Sequence, residues 1–150
     1  MSAAARDASG GLDLGKLRAY DTYWRGVAPR TNADIFRRWL FAFCSVHTTW
    51  EGNVRGYEAI KDLGWLGDRE DLRKRLIYSG CGLYNNRARF ITEFSESFWG
   101  NPDLYHKPPG DPWRNFRDTL EANILGLGLA KTSFALEMSH PVDAEVACLD

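Results

Sequence analysis

Two glycines with one apolar residue between them, Gly126 and Gly128, stand at the head of an apolar pattern that repeats every three or four residues. The stretch Ile124-Leu-Gly-Leu-Gly-Leu-Ala-Lys131 therefore reads as a tight hairpin between two helices. Both glycines allow positive φ and the close approach of another backbone. A helix opening directly after such a turn presents main-chain N–H groups with no partner inside the helix, which suits an anion such as a phosphate. The chemistry on offer is the holding of a phosphate by main chain alone.

Other residue types capable of chemistry are spread along the chain. Arg69, Arg73, Lys74, Arg75, Arg87 and Arg89 are set against Glu70 and Asp71, whereas residues 137–150 carry four acids and no Lys or Arg. The basic stretch is either a local face for a polyanion or a solvated helix surface. His47, His106 and His140 show no ligand spacing, so no metal is expected. Cys44, Cys81 and Cys148 are far apart and odd in number, which fits reduced, buried thiols and a cytoplasmic setting better than a disulfide framework.

Helices must position these groups. Ile35, Phe36, Trp39, Leu40, Phe43 and His47 trace one stripe of a helix that Thr31 or Asn32 caps. Val54, Tyr57, Ile60 and Lys61 mark a second, ending near Gly64. Asp68 caps a third, with Leu72, Leu76 and Ile77 inward and Gly80 as its stop. Ala88, Ile91, Phe94, Ser95 and Phe98 mark a fourth. An irregular loop from Gly100 to Asp111 separates it from a fifth helix, which starts at Asp111-Pro112 and buries Trp113, Phe116, Leu120 and Ile124. A sixth follows the hairpin to about Met138, before the break at His140-Pro141. The fold class predicted is all-α.

Composition sets the frame for this reading. A chain of 150 residues, 44% hydrophobic and with six Trp, six Tyr and eight Phe, reads as one folded domain over residues 12–150. Residues 1–11 are small and polar and read as a disordered tail without a secretory core. No apolar run approaches the ~20 residues that span a bilayer, so no membrane partner is expected. The net charge of −1 supplies no general field for nucleic acid. Tyr84 and Trp50 are read as core residues in preference to stacking platforms.

The Gly126–Gly128 hairpin resembles the helix-hairpin-helix signature of the DNA glycosylase superfamily that includes endonuclease III, the adenine mismatch glycosylase and the alkyl-base glycosylases. Two upstream segments strengthen the resemblance. Phe43-Cys-Ser-Val-His-Thr-Thr49 looks like the Leu-Ser-x-Gln-x-Thr stretch of the endonuclease III group, with His47 at the glutamine. Gly82-Leu-Tyr-Asn-Asn-Arg-Ala-Arg89 resembles the Gly-Leu/Tyr-Tyr-x-x-Lys/Arg-Ala segment of the same enzymes. Together the matches cover roughly residues 34–150.

The resemblance implies an orthogonal helical domain that binds double-stranded DNA as a monomer, flips a damaged or modified base and hydrolyses its N-glycosidic bond. The family places an aspartate about twenty residues after the hairpin, where Asp150 stands, and that carboxylate would face the positive charge developing on the sugar. The DNA contacts implied are Gly126, Gly128 and Ala130 through main chain, with Lys131, Thr132, His47 and Arg87 beside them. His47 reads equally well as a core histidine. Lyase-capable members carry a lysine two residues after the second glycine; Ala130 occupies that place and Lys131 is displaced by one. Lys131 is thus a phosphate contact, a solvated first-turn lysine or a nucleophile, and simple hydrolysis is favoured over strand cleavage.

Two rival readings stay open: a phage-type thymine hypermodification transferase of the same superfamily, and a non-catalytic DNA-binding module. No cofactor is expected; an iron–sulfur cluster would need cysteines beyond Asp150. The family builds a second lobe from segments before and after the hairpin region. The 150 residues are therefore read as incomplete, with apolar surface expected on the Trp39/Phe43 or Phe134/Leu136 faces.

Overall fold

The computed structural model describes residues 28–141 and Ala144. Among these residues it is all-α: α1 (Asn32–Ser45), α2 (Trp50–Ile60), α3 (Arg69–Ser79), α4 (Tyr84–Gly100), a 3-10 turn (Pro102–Tyr105), α5 (Trp113–Asn123) and α6 (Leu129–Ser139). The tail assigned to residues 1–11 lies outside the described residues, as do Cys148 and Asp150. No helix among the described residues is long and apolar enough to cross a membrane.

Local signals place the helix ends. Thr31 accepts a hydrogen bond from the Asp34 N–H at 3.1 Å, and Thr49 and Asp68 do the same for Gly52 and Asp71. Each satisfies one of the donors a helix leaves unpaired at its start. Gly80 closes α3 in the left-handed conformation, φ 73°. Pro112, not Asp111, occupies the cap position of α5, and no side chain caps that helix.

Helix α1 is the centre of the molecule and packs against α2, α4 and α6. From Ile35 to Cys44 every residue but Arg37 is buried, as expected of a helix surrounded by others. Its Phe36 and Trp39 meet Phe94, Phe98 and Tyr105 in a continuous aromatic cluster. Tyr105 reaches this cluster from the 3-10 turn, so the loop read as irregular contributes to the core. The even distribution of apolar residues around α1 finds partners on three helices, and Trp39, Phe43 and Leu136 are buried. Phe134 is half-buried, 6.2 Å from Phe41 between ring centres. The apolar surface expected on these faces is thus covered.

Lys61, read on the stripe of α2, lies exposed just past the end of that helix, and three further side chains depart from the sequence reading. Ile77 is 42% exposed, because only Leu72 and Leu76 of α3 face inward. Tyr84, read as core, lies exposed at the start of α4 with the Arg73 guanidinium 5.5 Å from its ring centre. His47 falls outside the α1 stripe: the helix stops at Ser45, and His47 is exposed with φ 51°.

Candidate nucleic-acid interface

The turn between α5 and α6 is built by two glycines in different ways. Gly126 has φ 94°, in the region that favours glycine, and a Cβ there would lie 2.5 Å from Cγ of Phe90. The turn therefore closes directly onto the Phe90 ring of α4. Gly128 has φ −88°, open to any residue, and nothing lies within 4 Å of where its Cβ would be. The expectation that both glycines serve positive φ is corrected here: only Gly126 does. Gly128 is the N-cap of α6, and its carbonyl accepts the Thr132 N–H at 3.0 Å. Gly128 itself supplies no side-chain cap. Ile124 and Leu127 point into the core, while Leu125 stands 54% exposed at the tip.

Around the hairpin, the residues named from sequence separate by burial. Ala130 is half-buried in the first turn of α6. Lys131, also half-buried, directs its ammonium over the Phe134 ring, 5.6 Å from the centre. That ring meets Phe41, which in turn meets Trp50 edge-on, so Lys131 runs along α6 toward an aromatic group shared with α1 and α2. The Thr132 side chain is fully buried, and its Oγ1 finds no hydrogen-bond partner among the described residues. A DNA contact through Thr132 is therefore corrected: the α1–α6 packing turns its hydroxyl inward.

Arg87 requires the same correction. It is 4% exposed, and its guanidinium donates to the Gly82 carbonyl and to the Phe43 carbonyl, each at 2.9 Å. A cation buried on two carbonyls is a structural tie, not a surface for phosphate. The tie joins the end of α1 to the loop before α4. Each of those two segments carries an exposed residue with left-handed φ: His47 at 51°, and Leu83 at 49° with half its surface exposed. Non-glycine residues hold such φ only when the surroundings impose it. Leu83 was missed from sequence, although its place between Gly82 and an uncapped helix start was a signal.

Beside this tie lie two free, buried thiols, Cys44 and Cys81. Burial pushes the Cys44 thiol far up, the neighbouring Cys81 adds to that, and Arg87 opposes it. Cys44 is thus a neutral packing group.

These features define an all-α domain with a glycine turn between two helices, two strained turns tied by a buried arginine, and a basic α3–α4 region. No family model matches the chain, and no curated protein matches it. Among solved structures it is similar to the 8-oxoguanine DNA glycosylase of Methanocaldococcus jannaschii, with 25% identity and a TM-score of 0.67 over 91% of this chain. The chain spans 58% of that glycosylase's length. The similarity supports the superfamily that the hairpin and its upstream segments resemble.

Proposed function

We propose that this protein is a DNA base-excision enzyme that flips a damaged or modified base from the duplex and hydrolyses its N-glycosidic bond. The observation that carries the reading is the Gly126 turn, closed onto Phe90 and leading into α6 through a glycine N-cap, in a chain whose fold is shared with a DNA glycosylase. The main chain of Gly126, Gly128 and Ala130 holds a backbone phosphate without reading sequence. His47 and Leu83, projected by the two tied turns, meet the duplex where the base leaves the stack. There Leu83 supplies an apolar wedge against the unstacked step.

In the reaction the bond from C1′ to the base nitrogen breaks, the base leaves with the electron pair, and positive charge develops on the sugar. The Asp150 carboxylate faces that charge and activates the water that adds to C1′. Ala130 at the position of the family's lysine supplies no amine for a Schiff base, which favours hydrolysis without strand cleavage.

Asp150→Asn in the full gene product tests this reading. The variant should release no base while binding duplex DNA within a few-fold of the parent; unchanged turnover removes Asp150 from the mechanism. Duplexes carrying 8-oxoguanine are the first probe, because the similar structure is an 8-oxoguanine DNA glycosylase. Product analysis separates the outcomes: free base supports excision, a modified base on an intact strand means a transferase, and binding without product means a DNA-binding module.

A further inference from the structure

Half of the six basic residues in the stretch 69–89 are engaged by other groups of the protein. Arg73 pairs with Glu70 and donates to Asn85; Arg75 pairs with Asp62 and Asp71; Arg87 is buried on carbonyls. Arg89 differs. Like Arg69 and Lys74 it is exposed and forms no ion pair among the described residues, but its guanidinium carbon lies 4.8 Å from the centre of the Phe90 ring. Phe90 is the residue onto which the Gly126 turn closes. One ring thus touches the hairpin and carries the guanidinium. Arg89 and the hairpin tip Leu125 also line the same cleft, of about 520 Å³.

Stacking on an aromatic ring holds a guanidinium in place while using none of its N–H donors, which remain free for a bidentate contact with a phosphate. We propose that Arg89 is a second phosphate clamp of the hairpin, binding the neighbouring phosphate of the DNA strand that the hairpin main chain holds. This rests on the DNA-binding reading above and extends it to a residue on a different helix. The charge pattern of α4 sets where the contact ends. Glu93 and Glu96, one and two turns beyond Arg89, line the same cleft with Asp68 and Arg69, so three acids outnumber two arginines there and the strand passes over the Arg89 rim, not into the interior.

The test is equilibrium binding of the full gene product to duplex DNA across a salt series, for the parent, Arg89→Gln, Arg89→Lys and Glu93→Gln. Each phosphate contact contributes about 0.9 to the slope of log affinity against log salt. Arg89→Gln should weaken binding equally on all sequences and make the slope shallower by about 0.9. Arg89→Lys should restore the slope but only part of the affinity, since lysine lacks the planar fork. Glu93→Gln should bind at least as tightly as the parent, with an unchanged slope. If Arg89→Gln keeps the parental slope while the parent binds DNA and releases base, the clamp is wrong and the excision reading stands. A parent that binds no duplex overturns both.

Discussion

The ring of Phe90 occupies the space that a side chain at Gly126 would need. This contact joins α4 to the α5–α6 turn across 36 positions of sequence, and it makes glycine obligatory at position 126 for two separate reasons: the ring beneath it and its φ of 94°. Strain in the backbone and overlap in packing each cost on the order of 1–3 kcal/mol. Gly126→Ala should therefore destabilise the protein by about 3 kcal/mol in urea denaturation. Adding Phe90→Ala should relieve the overlap and leave the strain, a coupling that a double-mutant cycle reads directly. Strictly additive effects would show that the ring does not bear on the turn.

Gly128 provides the contrast. Its backbone is accessible to any residue and a Cβ there meets nothing, so Gly128→Ala should keep stability within about 1 kcal/mol. If phosphate approaches the main chain at this position, the added methyl should still weaken DNA binding on every sequence. Parental affinity in a fully folded Gly128→Ala protein would remove this stretch of main chain from the interface.

Arg87→Met should lower stability by on the order of 3 kcal/mol, because two hydrogen bonds from a charged donor are lost and the carbonyls of Phe43 and Gly82 are left without it. The salt dependence of DNA binding by the folded variant should not change, since this guanidinium is buried away from solvent. A shallower slope would place Arg87 at a phosphate after all.

The turn after α2 carries a weak dependence on pH. The Gly64 N–H, at 2.8 Å from Asp62, and then the Arg75 guanidinium, at 2.6 Å, hold the Asp62 carboxyl below its ordinary value. A carboxylate with a lowered folded-state pKa stabilises the fold above its unfolded pKa of about 3.9, and the effect is lost as pH falls below that. Because Asp62 is largely exposed, its contribution is under about 1 kcal/mol. Asp62→Asn should be slightly less stable than the parent at neutral pH, with the difference closing as pH falls below the ordinary carboxylate range. A difference independent of pH would assign the effect to the turn and not to the charge.

The helix start at Asp68, the stop at Gly80 and a glycine turn between α5 and α6 were legible in the sequence because each is decided within a few residues, and Thr31 was one of two candidates for the cap of α1. A side-chain oxygen reaches the N–H three positions ahead, and only glycine adopts positive φ without strain. Side-chain direction needed the tertiary structure. Arg87 and Arg89 are two positions apart on α4 and alike in type, yet one is buried on two carbonyls and the other lies exposed on a ring. Which one turns inward depends on Phe43, which is 44 positions from Arg87 in sequence and adjacent to it in the fold. Ile77 was misplaced for the same reason: periodicity shows that a helix has an apolar face, but how wide that face is depends on the helices packed against it. The role of Gly126 divides along this line. That a glycine turn stands here was local and could be read; that Gly126 and not Gly128 takes positive φ could not, and the ring that excludes a side chain at Gly126 lies on another helix.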